Sequence, residues 1–207
     1  MALWGDAHGA ATNKPKFLPQ DENSDYNRAD CYATNAGWVM QAGHPSSGNS
    51  NTSADPEILV ASGGLAGTSA TTGLRSATVT SMRFVKGTTA TTDLTAADST
   101  ARILVEITWD EAVTVTGSPT VVVANSNASG GGFGNYTLSY ISSGSTANRK
   151  LFEATSQSLG NTDVLTLGGA DITLNSGTIS DTVRGGTAQA ASLVLSGLTA
   201  VTHTVLA

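Results

Sequence analysis

Residues 102–124 have the sequence RILVEITWDEAVTVTGSPTVVVA, and this stretch decides the fold. Its first half carries apolar residues at every second position: Ile103, Val105, Ile107 and Trp109. A period of two is typical of a β-strand with one buried face. The alternation resumes at Val113 and Val115, and a Gly-Ser-Pro turn at 117–119 separates it from a further β-branched run. We therefore expect two or three strands joined by short turns.

Strands of this kind need a second sheet to cover their apolar face in water. The rest of the composition agrees, because only 13% of the 207 residues are charged while Gly, Ser, Thr and Ala are abundant. That balance favours extended structure with many turns over a helical bundle. The sequence thus predicts an all-β protein in which residues 102–124 form the core of a β-sandwich and Trp109 is buried.

The charge balance and the cysteine count exclude several classes of protein. Ten basic and sixteen acidic residues give a net charge of −6, and neither half of the chain is basic, so we expect no nucleic-acid partner. The one cysteine, Cys31, cannot form an internal disulfide and is expected to be a buried thiol. The start of the sequence lacks the pattern of a signal peptide, and no run approaches a membrane span.

Two regions are predicted. Residues 1–75 comprise an extended arm (1–30), a small β-hairpin region (31–62) with strands at 31–33, 37–40 and 57–61, and a linker-like segment, 63–73. Residues 76–207 form the sandwich. Its further predicted strands, with turns about every ten residues, are 79–85, 136–140, 150–155, 164–167, 172–174, 192–195 and 201–206.

The sequence of residues 103–196 resembles the bacterial immunoglobulin-like (Ig-like) repeats of large surface adhesins and phage structural proteins. The resemblance is carried by TWDEAVTVTGSPT at 108–120 and by NSGTISD at 175–181, followed by SLVL at 192–195. It implies that the sandwich is an Ig-like domain.

The N-terminal part resembles the start of virion structural proteins of contractile-tailed phages that infect marine cyanobacteria. The segments that carry this resemblance are ALWG at 2–5, TNKPKFL at 12–18 and AGWV at 36–39. Together the two resemblances imply a non-enzymatic protein of the phage particle, assembled in the host cytoplasm. Its partners would be copies of itself and other virion proteins, either the major capsid protein or neck and tail proteins.

Within such a particle, the arm and hairpin region would anchor the protein and the Ig-like domain would be exposed. Isolated aromatic and apolar residues are the candidate anchors, since buried aromatic side chains dominate interfaces: Trp4, Phe17, Leu18 and Trp38. An arm of this kind gains affinity by lying over a neighbour or by adding a strand to its sheet. A capsid decoration protein is the first hypothesis, and a neck or tail protein is the second.

The alternative of another class is a carbohydrate-binding adhesin module that recognises a host-surface glycan. Its sugar site would lie on the loops at 125–135 and 144–149. Sugar sites usually present several aromatic side chains, whereas these loops offer only Phe133. We therefore place this hypothesis below a virion structural role.

No catalytic or metal site is predicted, and no cofactor. His8, His44 and His203 are far apart, without metal-ligand spacing, and are expected to be exposed or terminal. Asp110 and Glu111 suggest calcium, as do several carboxylates near predicted turns: Asp93, Asp98, Asp163, Asp171 and Asp181. Because Asp is common in turns in any case, we expect these side chains to be solvated.

Overall fold

The computed structural model describes residues 28–44, 49–66, 74, 76–86, 89–90, 102–126, 134–155, 157, 159–160, 162–181 and 188–206. These residues contain no α-helix, so the prediction of an all-β protein is confirmed. A single 3₁₀ turn, Arg28–Asp30, comes first. The strands that follow are β1 Cys31–Thr34, β2 Gly37–Met40, β3 Glu57–Ala61, β4 Val79–Lys86, β5 Thr89–Ala90, β6 Arg102–Trp109, β7 Val113–Thr116, β8 Thr120–Ser126, β9 Tyr136–Ile141, β10 Arg149–Thr155, β11 Val164–Leu167, β12 Thr178–Asp181 and β13 Val201–Thr204.

The first three strands form an antiparallel sheet in the order β1-β2-β3, at the positions that the sequence predicts. We call it the N-terminal sheet. It has a small core of its own, made of Cys31, Ala33, Trp38, Met40, Ala66 and Leu74. Ala66 and Leu74 flank most of the predicted linker, and the Leu74 N–H donates to the Leu65 carbonyl at 2.7 Å. The two ends of that segment therefore belong to the N-terminal sheet, while residues 67–73 lie outside the described ranges.

Eight strands form the large antiparallel sheet, in the order β13-β11-β8-β9-β10-β6-β4-β5. Consecutive strands pair at β4–β5, β8–β9 and β9–β10, whereas the pairs β4–β6, β6–β10 and β8–β11 join strands that are not consecutive in the chain. The sheet curls until β13 approaches β4, where the rings of His203 and Phe84 lie 5.9 Å apart. It is nearly a barrel, and its arrangement is consistent with the predicted sandwich.

A two-stranded sheet, β7 paired with β12, completes the fold. The turns that flank this pair approach each other so closely that both require glycine. Gly117 has a φ of +71°, and a Cβ built on Gly177 would collide with the carbonyl oxygen of Thr116. Asn175 and Ser176 also have positive φ, at 48° and 65°. The NSG run at 175–177 therefore forms the tight turn into β12.

The core lies between the large sheet and the β7–β12 pair. Trp109 is fully buried, as predicted, together with Ile103, Val105 and Ile107. Residues from most other strands complete this core: Met82, Phe84, Val113, Val121, Val123, Leu138, Phe152, Leu165, Leu167, Ile172, Ile179 and Leu195.

The expectation that β6 buries only one face is wrong. Leu104, Glu106 and Thr108 alternate with the core residues, and all three are buried as well. Leu104 packs with Val85 and Leu151 in a separate small cluster on the other face of the sheet. Glu106 is buried there because two arginines surround it, as described below.

Two predicted strands, 172–174 and 192–195, are not strands. Both segments contribute single backbone hydrogen bonds rather than continuous ladders. The Ile172 N–H donates to the Leu193 carbonyl at 3.0 Å, and Thr173 forms an isolated bridge with Thr120. Ile172 and Leu195 are buried, as the apolar residues of a strand would be. The bridge of Thr173 with Thr120 is isolated, so no ladder of consecutive backbone pairs forms there.

Candidate functional site

The N-terminal sheet meets the sandwich through backbone contacts at the end of β6. The Ala33 N–H donates to the Asp110 carbonyl at 2.6 Å, and Ala33 forms a parallel bridge with Glu111. One edge of β1 is thereby tied to the segment between β6 and β7. This contact fixes the position of the N-terminal sheet, and it also forms one wall of the groove described below.

A buried ionic network lies at the same junction, centred on Arg149 in β10. Its guanidinium donates through Nη1 to Asp30 and through Nη2 to Glu106 Oε1, the latter at 2.6 Å. Glu106 also accepts from Arg83 Nε at 2.8 Å, and His44 Nε2 pairs with Asp30. Buried charges are tolerated only when they are paired in this way. The network therefore holds the 3₁₀ turn and the loop after β2 against the outer face of the large sheet.

Asp110 ties the start of the sandwich to the same place. Its Oδ1 accepts from the Thr78 N–H at 2.6 Å and its Oδ2 from the Thr78 hydroxyl. The side chain is 1% exposed. Asp110 is thus a structural acceptor that fixes the entry to β4, and the prediction that it is a solvated turn residue is wrong.

A groove of about 580 Å³ opens between the N-terminal sheet and the sandwich, beside these contacts. We call it the junction groove. Small and apolar side chains dominate its walls, with two carboxylates among them. The residues that form it are Ala33, Thr34, Asn35, Ala36, Val39, Asp55, Pro56, Ile58, Ala66, Glu111 and Ala112. Ile58 is the notable surface residue, since it is a large apolar side chain that is 53% exposed.

Glu111 is the unusual group of the junction groove. Its side chain is 2% exposed, and its Oε1 atom has no hydrogen-bond partner. Burial, with smaller contributions from the neighbouring charges of Asp110 and Asp181, raises the pKa of Glu111 to about 8. At pH 7 the carboxyl group is therefore mostly protonated. A cation placed against it would reverse that preference, because an adjacent positive charge favours the carboxylate.

The other carboxylates near predicted turns differ in environment. Asp171 is exposed, and it accepts from the N–H groups of Leu195 and Ser196, which lowers its pKa. Asp163 and Asp181 are buried, so the prediction that their side chains are solvated is wrong. Asp163 Oδ2 accepts from Asn125 and from the Gly160 N–H, and Asp181 Oδ1 accepts from the Gln189 N–H. Asp93 and Asp98 lie outside the described residues.

Lys150, next to the ionic network in β10, is a second buried titratable group. Its ammonium donates to the Thr146 carbonyl, and the side chain is 7% exposed. Burial lowers its pKa to about 8. Glu111 and Lys150 are thus an acid and a base whose pKa values are displaced toward each other by loss of solvent.

In the part of the chain that the structure describes, no three His, Cys, Asp or Glu residues are grouped as metal ligands would be. His44 pairs with Asp30, whereas His203 is 5% exposed beside Phe84, so the expectation of exposed histidines is wrong for His203. Cys31 is fully buried, as predicted.

Of the four candidate anchors, the structure places one. Trp38 is 3% exposed and packs in the core of the N-terminal sheet, so its burial is accounted for within this chain. Trp4, Phe17 and Leu18 lie outside the described residues, and their role as anchors stays a prediction.

The loops proposed for a glycan site are only partly described. Residues 127–133, with Phe133, lie outside the described ranges. The other loop, 144–149, directs its polar groups into the junction: Asn148 Nδ2 donates to the Trp109 carbonyl at 3.1 Å, and the Asn148 carbonyl accepts from the Trp109 N–H. Asn148 therefore has a structural role in this loop, and the glycan hypothesis stays a prediction.

Sequence reasoning missed the junction groove, and with it the roles of Glu111 and Arg149. One signal was present, because Glu106 shares its strand face with Leu104, and an apolar neighbour on the same face suggests burial. The partners could not be deduced, since Asp30 and Arg149 are 119 residues apart.

Within the described ranges, no helix has the length and apolar character needed to cross a bilayer. Comparison with known proteins adds no relative: no family model matches the chain, and neither a curated protein nor a solved structure does.

Proposed function

We propose that this protein is a non-enzymatic structural component of a phage particle, most simply a capsid decoration protein. Residues 1–75 would attach it to the particle, and the Ig-like sandwich would be exposed. The observation that carries the proposal is that the buried charged side chains at the junction pair with one another. Asp30, Glu106, Arg83 and Arg149 hold two parts of the chain together instead of converging on a cleft where a substrate could react.

The junction explains how attachment at one end would position the other. Backbone bonds at Ala33 and side-chain pairs at Asp30 and Arg149 connect the N-terminal sheet to the sandwich at several points. A part held by several separate contacts does not swing as a single flexible linker would. An arm bound to a neighbouring subunit would therefore set the direction of the whole sandwich.

The resemblances at 2–5, 12–18, 36–39 and 108–120 supply the particle context of this proposal. They do not decide between the head and the neck or tail, where an arm-anchored protein would work in the same way. Labelling the C-terminus and imaging intact particles by electron microscopy separates these locations. We expect label over the head surface; label confined to the neck or tail would favour the second hypothesis.

Deletion of the arm tests the attachment mechanism. Because the N-terminal sheet and the junction begin at residue 28, a chain that lacks residues 1–20 should fold and melt like the full-length protein. It should be absent from particles assembled in cells that produce it, as measured by quantitative mass spectrometry of purified particles. The full-length chain in the same cells is the control. Normal incorporation of the shortened chain would contradict attachment through the arm.

A further inference from the structure

The junction groove has the features of a site for an extended segment with both apolar and basic side chains. Pro56 and Ile58 offer apolar surface, and Ile58 is exposed at 53%. Glu111 contributes a buried carboxyl group with an unpartnered oxygen, and Asp55 adds a second acidic side chain. A buried acceptor without a hydrogen-bond partner is unfavourable. A donor that reaches Glu111 would remove this cost and so gain binding free energy. An ammonium group supplies both the donor and the complementary charge.

The chain itself contains a segment with this chemistry. Residues 14–18 read KPKFL, so two of the ten basic residues of the protein stand directly before Phe17 and Leu18. Pro15 restricts the residue before it to extended conformations. Nine residues, 19–27, separate this segment from Arg28, and nine extended residues span about 30 Å. That length allows the segment to reach a neighbouring molecule.

We propose that the junction groove binds residues 14–18 of a second copy of this chain, with a lysine ammonium at Glu111 and an apolar side chain over Ile58. This inference rests on the proposed function, in which the arm attaches one subunit to another, and it names the receiving surface. The net acidity of the groove and the two positive charges of the segment make the pairing electrostatically complementary.

The proposal also fixes the proton balance of binding. Asp55 lines the same groove, and two acidic groups act directly on Glu111: Asp110 beside it in the chain and Asp181 in β12. They favour the protonated form of Glu111 when no cation is present. When the ammonium group docks, Glu111 loses its proton to solvent and the ion pair forms. Binding should therefore strengthen as the pH rises from 6 to 8.5.

Disulfide trapping between two full-length variants tests the site directly. One variant carries Phe17→Cys and the other Ile58→Cys, so a disulfide between them can form only when the arm of one copy reaches the groove of another. The matched control replaces Ile58→Cys by Val194→Cys, an apolar position with nearly the same exposure, 49%. The natural Cys31 is fully buried and is common to all the proteins.

We expect the Phe17→Cys and Ile58→Cys pair to form its disulfide at least tenfold faster than the control pair at pH 8. Adding Glu111→Gln to the Ile58→Cys chain, or Lys14→Ser with Lys16→Ser to the Phe17→Cys chain, should remove most of that preference. Glu111→Gln retains the shape of the protonated side chain, so the variant should fold. The rate for the Ile58→Cys pair divided by the rate for the Val194→Cys control pair should also rise with pH. The pH dependence of thiol reactivity affects both pairs and therefore cancels in this ratio.

Equal rates for the two pairs would overturn the proposal, and so would a preference that survives Glu111→Gln. These outcomes are separable from a failure of the proposed function. If particles incorporate the full-length protein but not the shortened chain, and trapping shows no preference for Ile58→Cys, the arm attaches to another protein and only this inference fails. If trapping succeeds while the shortened chain is incorporated normally, the groove contact stands and the arm-dependent attachment fails.

Discussion

The indole Nε1 of Trp109 donates a hydrogen bond to the backbone carbonyl of Ser192 at 3.0 Å, across 83 residues of chain. Trp109 ends β6 in the centre of the large sheet, whereas residue 192 lies in the irregular segment before β13. A fully buried tryptophan with a satisfied N–H contributes both its apolar area and a polar bond. The contact connects the first half of the sandwich to its C-terminal segment.

Replacing Trp109 should show how much this contact contributes to the free energy of unfolding. Trp109→Ala is expected to lower the free energy of unfolding by about 3–5 kcal/mol, since a large cavity would remain in the core. Trp109→Phe keeps part of the volume but leaves the Ser192 carbonyl without this donor, so its cost should be smaller. Denaturant titration followed by circular dichroism gives both values. Val194→Ala, at an exposed position, is the control, and a similar loss there would contradict the assignment.

Arg149→Met tests the ionic network. The substitution leaves Asp30 with His44 and Glu106 with Arg83, so we expect a loss of about 2–3 kcal/mol, below that of a fully orphaned buried pair. The loss should appear first in the N-terminal sheet, because Asp30 precedes β1 directly. Hydrogen exchange of the β1 and β2 amides is the measurement. Glu57→Gln, which changes an exposed carboxylate of β3, should leave this protection intact, and equal protection in both variants would refute the prediction.

Glu111 should give the protein a pH dependence of known sign. Its folded-state pKa, about 8, is higher than the ordinary value of 4.5. Between these two values the folded state binds more protons than the unfolded state, so stability falls as the pH rises from 4.5 to 8. The contribution is on the order of a few kcal/mol. Thermal melts of the wild type and Glu111→Gln across this range should diverge, and parallel curves would show that Glu111 titrates normally.

Lys150 should act in the opposite direction at higher pH. Its pKa is lowered from 10.5 to about 8, so the unfolded state holds the extra proton between these values. Stability relative to Lys150→Met should therefore rise between pH 8 and 10.5, by an amount on the order of a few kcal/mol. Melts in borate and carbonate buffers give the difference. A difference that does not change with pH would mean that the ammonium group is well solvated in the folded protein.

Gly177→Ala tests the tight contact between the turns that flank β7 and β12. The added Cβ would overlap the Thr116 carbonyl oxygen, and neither backbone can move without breaking the pairing of Thr116 with Thr178. The expected cost is about 1–3 kcal/mol. Gly197→Ala is the matched control, because the nearest atom to its added Cβ would be Val194 Cγ1 at 3.8 Å. A similar melting temperature for the two variants would contradict the proposed crowding.

The apolar alternation predicts much of this fold because it is a local property. Residues 102–109 and 164–167 carry a clear period of two and form strands with the expected bounds. The pairing of strands is not local. The stretch that decides the fold reads as consecutive strands, yet β6, β7 and β8 each pair with strands from elsewhere in the chain. The alternation of apolar residues therefore predicts which segments are strands. The order of the strands in the sheet depends on pairing partners that are distant in the sequence.

The candidate site was less predictable for the same reason. Alternation alone places Glu106 on the face of β6 opposite the core, where a carboxylate is ordinarily solvated. Arg83 lies 23 residues before it and Arg149 lies 43 residues after it, and their positions around Glu106 follow from the sheet order. The raised pKa of Glu111 likewise depends on Asp181 and on the walls of the groove, which the order of residues in the chain does not reveal.

The separation of Asp30 from Arg149 has a consequence for synthesis. At the usual rates of translation, about 5–20 residues per second, the chain needs about 6–24 s to grow by the 119 positions from Asp30 to Arg149. During that interval the nascent N-terminal strands exist without the arginine that later holds them, and without the Asp110 carbonyl that pairs with Ala33. Chaperones or other newly made subunits therefore have access to the N-terminal strands before the contacts of the junction can form.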